Sequence, residues 1–345
     1  MIFGKKQSAK FESAIGLDLG SQQWKAVLIH RTERGLQLGQ FAVVPAPADA
    51  TKPSAAQQCA QAIHALHAQL KTNDRYVFVA ISTPSALVAE IEVPRMTIDE
   101  VRGALALNGA RFLRRDISNC CFDGIELGNF AVEGTKPKKT PTMRVLVAGA
   151  QRDVVLGWRN VLTEARLRAE TIELSALTVV NALQRSQPAI CDKHVVLLLE
   201  IGAQQTSLNF LRNGQPVLTR LMTFGGAQIT EQMSRALGVP VAEAEKQKRA
   251  MGEEGVALAR GALQTLAREV RSSIDFVERQ NECEIRHAFV GGGSACNNTI
   301  VQSLSREVGL PMTRWNPLEG FGGGPFDEAV TPSLAAAVGV AVARL

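Results

Sequence analysis

Apolar residues along the chain recur with two periods, and the switches between them set out a series of strands and helices. The run Ala14-Ile15-Gly16-Leu17-Asp18-Leu19 reads as a buried strand carrying one acid. Gly20-Ser21 turns it into a second strand, Lys25 to Ile29. Leu36 to Val44 reads as a third strand, closed by Pro45-Ala46-Pro47. Ser54 caps a helix from Ala55 to Lys71, in which Cys59, Ala62, Ile63, Leu66 and Leu70 share one face. Tyr76 to Ile81 is almost continuously apolar, as expected of a strand buried on both faces, so the first unit is β-β-β-α-β.

Ser82-Thr83-Pro84 breaks the pattern. Ala86 to Val93 reads as a strand closed by Pro94, and Thr97 with Glu100 forms a capping box for a helix through Leu113. Cys121 to Leu127 and Met143 to Ala150 read as strands around a polar loop with Lys136-Pro137-Lys138-Lys139, and a helix follows from Asp153 to Arg166. Glu170 to Ala182 then crosses to the second half. There the opening pattern returns: Val196 to Leu199 lead to Glu200-Ile201-Gly202-Ala203, and a second strand follows at Ser207 to Leu211. Both copies carry Gln-Gln shortly after the glycine, as Gln22-Gln23 and Gln204-Gln205. An internal duplication with one acidic β-turn per half is therefore expected.

Further on, Gly214 turns a hairpin completed by Val217 to Met222, and Phe224-Gly225-Gly226 leads into a helix from Ala227 to Leu237. A charged segment, Glu243 to Met251, precedes a long helix from Leu258 to Arg279 with Leu263, Leu266, Val270, Ile274 and Val277 on one stripe. Ile285 to Val290 then enters Gly291-Gly292-Gly293-Ser294, followed by a helix from Asn298 to Val308. Gly320 to Gly324 reads as a flexible loop, and Ser333 to Arg344 as a small-residue helix fit for close packing.

The chemistry sits at the turns. Two glycine turns facing each other can clamp a polyphosphate with backbone N–H groups, while Asp18 and Glu200 hold a hydrated divalent cation. Gly225-Gly226 can present further N–H groups at a helix start. Strand, glycine run and helix around Gly291 is a nucleotide-binding geometry, although it has neither the G-x-G-x-x-G spacing nor the Gly-Lys-Ser/Thr of a P-loop. Taken singly, each acidic turn is more often just a tight β-turn with a glycine at positive φ, and it is the second copy that weighs against that reading.

Composition narrows the classes. A length of 345 residues, 46% hydrophobic and 21% charged, gives room for two or three domains with an ample core. A net charge of +5 with scattered basic residues and 5% aromatics does not favour nucleic acid. The cysteines, Cys59, Cys120, Cys121, Cys191, Cys283 and Cys296, have no zinc spacing and read as reduced thiols in a cytoplasmic protein. No apolar run reaches the roughly 20 residues of a membrane span. Met1 to Lys6 is a frayed terminus or a short apolar-basic contact point.

This order of parts resembles the actin/Hsp70/sugar-kinase superfamily, and within it PilM-type proteins of type IV pilus assembly, relatives of the division protein FtsA. The likeness rests on Gly16-Leu17-Asp18-Leu19-Gly20-Ser21 with Lys25-Ala26-Val27, Ile91-Glu92-Val93-Pro94, Glu200-Ile201-Gly202-Ala203, Gly225-Gly226, Ala244-Glu245 with Lys248, and Gly291-Gly292-Gly293-Ser294. It implies an α/β actin-like (ribonuclease H-like) fold of two lobes with an inserted small α+β subdomain. The lobes would be 12–82 with 168–190, and 191–226 with 285–331. The insertion would be 83–167, a helical nucleotide-cleft subdomain 227–284, and a C-terminal helix 332–345.

The resemblance also implies ATP between the lobes, with Asp18 and Glu200 arranging Mg2+ through water. Gly20, Ser21, Gln22, Lys25, Gly202, Ala203, Gly225 and Gly226 would surround the phosphates. Gly291, Gly292, Gly293 and Ser294 would face the adenosine, and Glu245 and Lys248 the ribose or base. Glu173, on a connecting helix, would orient the attacking water. Glu200 where aspartate is usual, and the two glutamine pairs in place of small hydroxyl residues, imply binding with slow hydrolysis at most.

The implied role is a cytoplasmic scaffold, peripheral to the inner membrane through its partners, in a type IV pilus or type II secretion-like machine. Its partner would be the cytoplasmic tail of a PilN-like inner-membrane protein, with other pilus assembly proteins and self-association left open. The tail would lie in a groove between the first lobe and the insertion. That groove would be formed by the strand Ala86 to Val93 and a helix whose Val101, Leu105, Asn108 and Phe112 recur at helical spacing, with Arg102, Arg111, Arg114 and Arg115 at the rim. The alternatives are an FtsA-like filament protein, disfavoured because the chain ends without an amphipathic membrane helix, and a sugar-kinase-like enzyme.

Overall fold

The computed structural model describes residues 11–50, 53–127, 141–324 and 326–345. Met1 to Lys6 and the Lys136 to Lys139 loop lie outside the described residues. The chain opens with the meander β1 (Ser13–Leu19), β2 (Gln23–Thr32) and β3 (Gly35–Pro45), followed by α1 (Ala56–Ala68) and β4 (Tyr76–Ile81). The alternation of β1 explains its seat: Ile15, Leu17 and Leu19 pack against α1 on one face, while Ala14, Gly16 and Asp18 turn to the other.

An inserted unit follows: β5 (Leu87–Pro94), α2 (Ile98–Leu113), β6 (Cys120–Leu127), β7 (Thr142–Gln151) and α3 (Arg152–Glu164). Its strands form a separate antiparallel sheet in the order β5-β7-β6. The Thr97 hydroxyl accepts from the Glu100 N–H at 3.2 Å, and Glu100 accepts from the Thr97 N–H at 2.7 Å, so the expected capping box starts α2. Asn108 (φ −150°) then kinks the helix and leaves Leu107 91% exposed.

The chain returns with β8 (Arg168–Leu174), α4 (Ser175–Ser186) and α5 (Pro188–Lys193). Glu173, which the resemblance placed on a connecting helix, is in a strand: β8 closes the first sheet in the order β3-β2-β1-β4-β8. The second half repeats the plan with β9 (Val195–Ile201), β10 (Thr206–Arg212) and β11 (Gln215–Met222). Helices α6 (Gly226–Leu237), α7 (Val241–Arg249) and α8 (Glu253–Asn281) follow, then β12 (His287–Gly291), α9 (Asn298–Val308) and β13 (Met312–Arg314). The order β11-β10-β9-β12-β13 matches the first sheet position for position, which is the duplication read from the acidic turns.

A final helix, α10 (Ala335–Val342), is preceded by a 3-10 turn over Thr331–Leu334. It packs on β1, β2 and β4 of the first sheet, whereas α4 packs on β9 and β10 of the second, and the two helices press against each other. Small residues make this crossing possible: Ala335 to Ala341 are buried, and a Cβ on Gly16 would overlap the Ala337 carbonyl oxygen. Gly320 to Gly324 is held rather than loose, since Gly322 pairs with the edge of β3. Among the described residues no helix is long and apolar enough to cross a membrane.

Candidate functional site

The parallel plan of the two sheets brings both acidic turns to one cleft, a cavity of about 890 Å3 between the lobes. Its size lies within the ordinary range for small-molecule sites. Asp18 and Glu200 each sit one residue before the end of the central strand, β1 or β9, so both reach the same mouth. Their surroundings differ. Lys25 stands opposite Asp18 in the β1–β2 ladder and donates to its Oδ2 at 2.9 Å, with both side chains largely buried. Ser207 stands opposite Glu200, and Glu200 Oε2 is buried without any hydrogen-bond partner.

Burial pushes the Glu200 carboxyl up to about 8, and the Asp18 charge adds to the effect while Lys25 opposes it. The residue as a whole keeps some exposed surface; the sealed Oε2 is what carries the desolvation. Gly291 makes room for this side chain, because a Cβ there would overlap Glu200 Oε2.

The turns also differ in their backbone. The Gly202 N–H donates to Gln205 O at 3.0 Å, while Gly202 O and Ala203 O accept from the Gly226 and Ala227 N–H groups, each at 2.8 Å. The Gly225 N–H is taken by the Gln228 side chain at 2.8 Å. The expectation that Gly225-Gly226 offers N–H groups to an anion is therefore corrected: the Gly226 N–H ties α6 to the second turn, the Gly225 N–H is held within α6 by Gln228, and Gly225 does not line the cavity.

Lys248 extends this locked region. Its ammonium is buried and donates to Gly226 O (3.1 Å), Thr230 Oγ1 (2.8 Å) and Glu245 Oε2 (2.6 Å), satisfying all three protons. Burial lowers the Lys248 pKa against the pull of Glu245. Burial likewise raises the Glu245 carboxyl, but the hydrogen bonds from Lys248 and Thr230 outweigh it and hold the group below the usual carboxylate range. Glu245 and Lys248 line the cavity, yet they are a buried pair joining α7 to α6 rather than two free ligand contacts.

Of the other expected site residues, Asp18, Gly20, Ser21, Gln22, Lys25, Glu200, Gly202, Ala203, Gly226, Gly293 and Ser294 line the cavity. Gly291 and Gly292 do not. Gly292 (φ +90°) lies against the Ile201 backbone, and its N–H donates to Pro332 O, so both glycines seat the second turn rather than face a ligand. Glu173 is also corrected. It lies on β8, not on a helix, outside the cavity lining, and its Oε1 accepts from Arg344 at 2.6 Å.

Sequence reasoning missed several lining residues. Ser82, Thr83 and Ser175 also line the cavity, with the Ser82 and Ser175 hydroxyls 2.8 Å apart. Asn297 starts α9 by accepting from the Thr299 N–H, and its amide donates to Lys248 O and Met251 O, both at 3.0 Å. An asparagine one residue before an apolar helix was a visible cap signal; its second role, closing α7, depends on tertiary approach.

On the insertion, Val101 and Leu105 belong to that unit's own core and are not available to a partner. Arg102 is likewise no free rim residue, since it pairs with Asp123 (2.6 Å) and Asp99 (2.5 Å). Arg115 donates to Ser85 O at 3.3 Å beside the first lobe, and Arg111, Arg114 and Leu107 remain exposed.

With this geometry in view, the family described as type IV pilus assembly protein PilM matches residues 16–344, and the chain belongs to that family. It is similar to a protein of a solved PilM-PilN type IV pilus biogenesis complex, with 25% identity and a TM-score of 0.84 over 97% of this chain and 99% of that one. The ethanolamine utilization protein EutJ from Carboxydothermus hydrogenoformans shares the fold at 15% identity (TM-score 0.60; 97% of this chain, 92% of that one). So does MreB5 of Spiroplasma citri bound to ADP, at 12% identity (TM-score 0.54; 95% of each chain). The fold is actin-like.

Proposed function

We propose that this member of the PilM family is an ATP-binding scaffold of type IV pilus assembly that holds the nucleotide between its lobes and a PilN-like tail beside its insertion. The observation that carries the nucleotide reading is the meeting of two acid-glycine turns in one cleft, with the Lys25 ammonium beside Gly20. An ammonium at a glycine turn suits phosphate oxygens, since charge-assisted hydrogen bonds are about twice as strong as neutral ones. MreB5, which shares the fold, is a protein bound to ADP.

The residues fit a hydrated magnesium ion in charge type: two carboxylates, Asp18 and Glu200, line the cleft from facing turns. Among the described residues no group of three His, Cys, Asp or Glu side chains converges, which suits a cation held through its own water and the phosphates. With Glu173 engaged by Arg344, the site is suited to binding more than to rapid turnover. The partner reading is supported by the near-complete overlap with a chain of the PilM-PilN complex, and by the exposed Arg111 and Arg114 on the insertion. Both suit an acidic or amide-rich tail.

The test is a calorimetric titration with ATP, with and without magnesium, on the wild type and Lys25→Ala. Loss of one charged partner should weaken binding by roughly tenfold or more. Equal affinities in a folded variant would remove the first turn from the site.

A further inference from the structure

The segment after β13 leaves the second lobe and fastens itself to the far edge of the first. Trp315 is buried and donates from Nε1 to Ser186 Oγ at 2.9 Å, Leu318 is fully buried, and Gln187 Nε2 donates to Glu319 Oε2 at 2.6 Å. Gly322 then pairs with β3 in parallel: its N–H donates to Leu36 O at 2.9 Å and its carbonyl accepts from the Leu38 N–H at 3.0 Å. A piece of the second lobe thereby takes the place of an additional strand on the first sheet, covering an edge that would otherwise present unpaired groups.

This attachment lies a few residues from the cleft along the same strand. Phe41, Ala42 and Val43 of β3 line the cavity, and just beyond the strand the Ala46 N–H donates to Gln22 O in the first acidic turn at 2.9 Å. From this geometry we infer that residues 315–324 form a strap that positions the β3 wall and the first turn for the nucleotide, with Gly323 as its positioning residue. The inference rests on the nucleotide reading above.

Gly323 and its neighbour Gly322, which joins the strap through its backbone alone, supply a matched pair of variants. Gly323 has φ +95°, and a Cβ there would stand 2.6 Å from Leu38 O, so alanine must push the strap off the strand. At Gly322 a Cβ meets nothing closer than Gln37 Cγ at 3.6 Å, so alanine fits with the strap in place. Release of a fluorescent ATP analogue by stopped flow should quicken by about tenfold in Gly323→Ala, the loss expected of two hydrogen bonds, and stay at the wild-type rate in Gly322→Ala. A lower melting temperature in Gly323→Ala with unchanged release would mean that the segment is merely structural, and would overturn the inference. Should the wild type bind no ATP, the nucleotide reading fails separately, and the strap is judged on amide exchange at Ala42 and Ala46. Faster exchange in Gly323→Ala than in Gly322→Ala supports it; equal exchange overturns it.

Discussion

The two lobes share one plan, but their acidic turns have divergent surroundings. In the first, Asp18 is neutralised by Lys25 directly across the ladder. In the second, Glu200 faces Ser207, keeps a sealed and unpartnered oxygen, and sits on a turn whose backbone is bound to the start of α6. The first turn thus brings a cation held by its own acid to the cleft, while the second brings a fixed frame and an acid with no directly bonded counter-charge. Duplication preserved the positions of the acids, because strand register fixes them, and left the partners free to change.

The helices between the lobes sharpen this contrast most strongly. Two residues before Asp18 stands Gly16, which lets α10 approach β1; two residues before Glu200 stands Leu198, a full-sized core residue. Gly16→Ala would drive a methyl group into the Ala337 backbone, which cannot rotate away as a side chain can. A loss of about 3 kcal/mol is expected, the upper end of the usual range for overpacking. Denaturant unfolding measures it. A loss below about 1 kcal/mol, the level of an easily accommodated overpacking change, would mean that α10 is not seated against β1 in solution.

That contact also marks the limit of what the sequence discloses. The acidic turns, the repeated strands and the capping box at Thr97 were legible because each is a local pattern of apolar spacing and turn chemistry. Strand β8 was not. Its Thr171 and Glu173 lie on the face that carries the helices between the lobes, and Arg344, 171 residues away, pairs with Glu173 there. Gly225-Gly226 and Gly291-Gly292 read as ligand-binding glycines for the same reason. Sequence shows that glycine permits a close approach, but not whether the approaching group is a phosphate or the chain itself. Here it is the Gly202-Ala203 turn and the Glu200 side chain.

The unpaired acid makes a second test of the comparison through pH. Glu200 has a folded pKa of about 8, above its ordinary 4.5, so between these values the folded state holds a proton that the unfolded chain has released. Stability contributed by that proton is fully present below about pH 4.5 and is lost as pH rises toward 8. Against Glu200→Gln, which does not titrate, the wild type should therefore lose on the order of 2 kcal/mol between pH 5 and 8, allowing for screening of its exposed part. Urea unfolding of both proteins at several pH values gives the difference directly. Parallel curves would show that Glu200 is solvated, and that its sealed oxygen is not what separates the two turns.

The smallest effect is expected where the resemblance implied the largest. The resemblance implied that Glu173 would orient an attacking water, yet it lies on β8 outside the cavity lining and its carboxylate is tied to Arg344, which also lies 5.8 Å over the Phe78 ring. Burial raises the Glu173 pKa, and Arg344 pulls it back. Such a pair is coupled to the packing of the C-terminal end against β8, not to the cleft. Glu173→Gln should then leave ATP affinity and any residual turnover at wild-type values, because glutamine keeps a hydrogen-bond acceptor for Arg344 and nothing in the cavity lining changes. Arg344→Ala should behave differently from a catalytic lesion, lowering stability by about 3 kcal/mol through an unpaired buried carboxylate while ATP still binds. A fall in turnover with Glu173→Gln at unchanged stability would return this acid to the site and require the Arg344 pair to open when nucleotide enters.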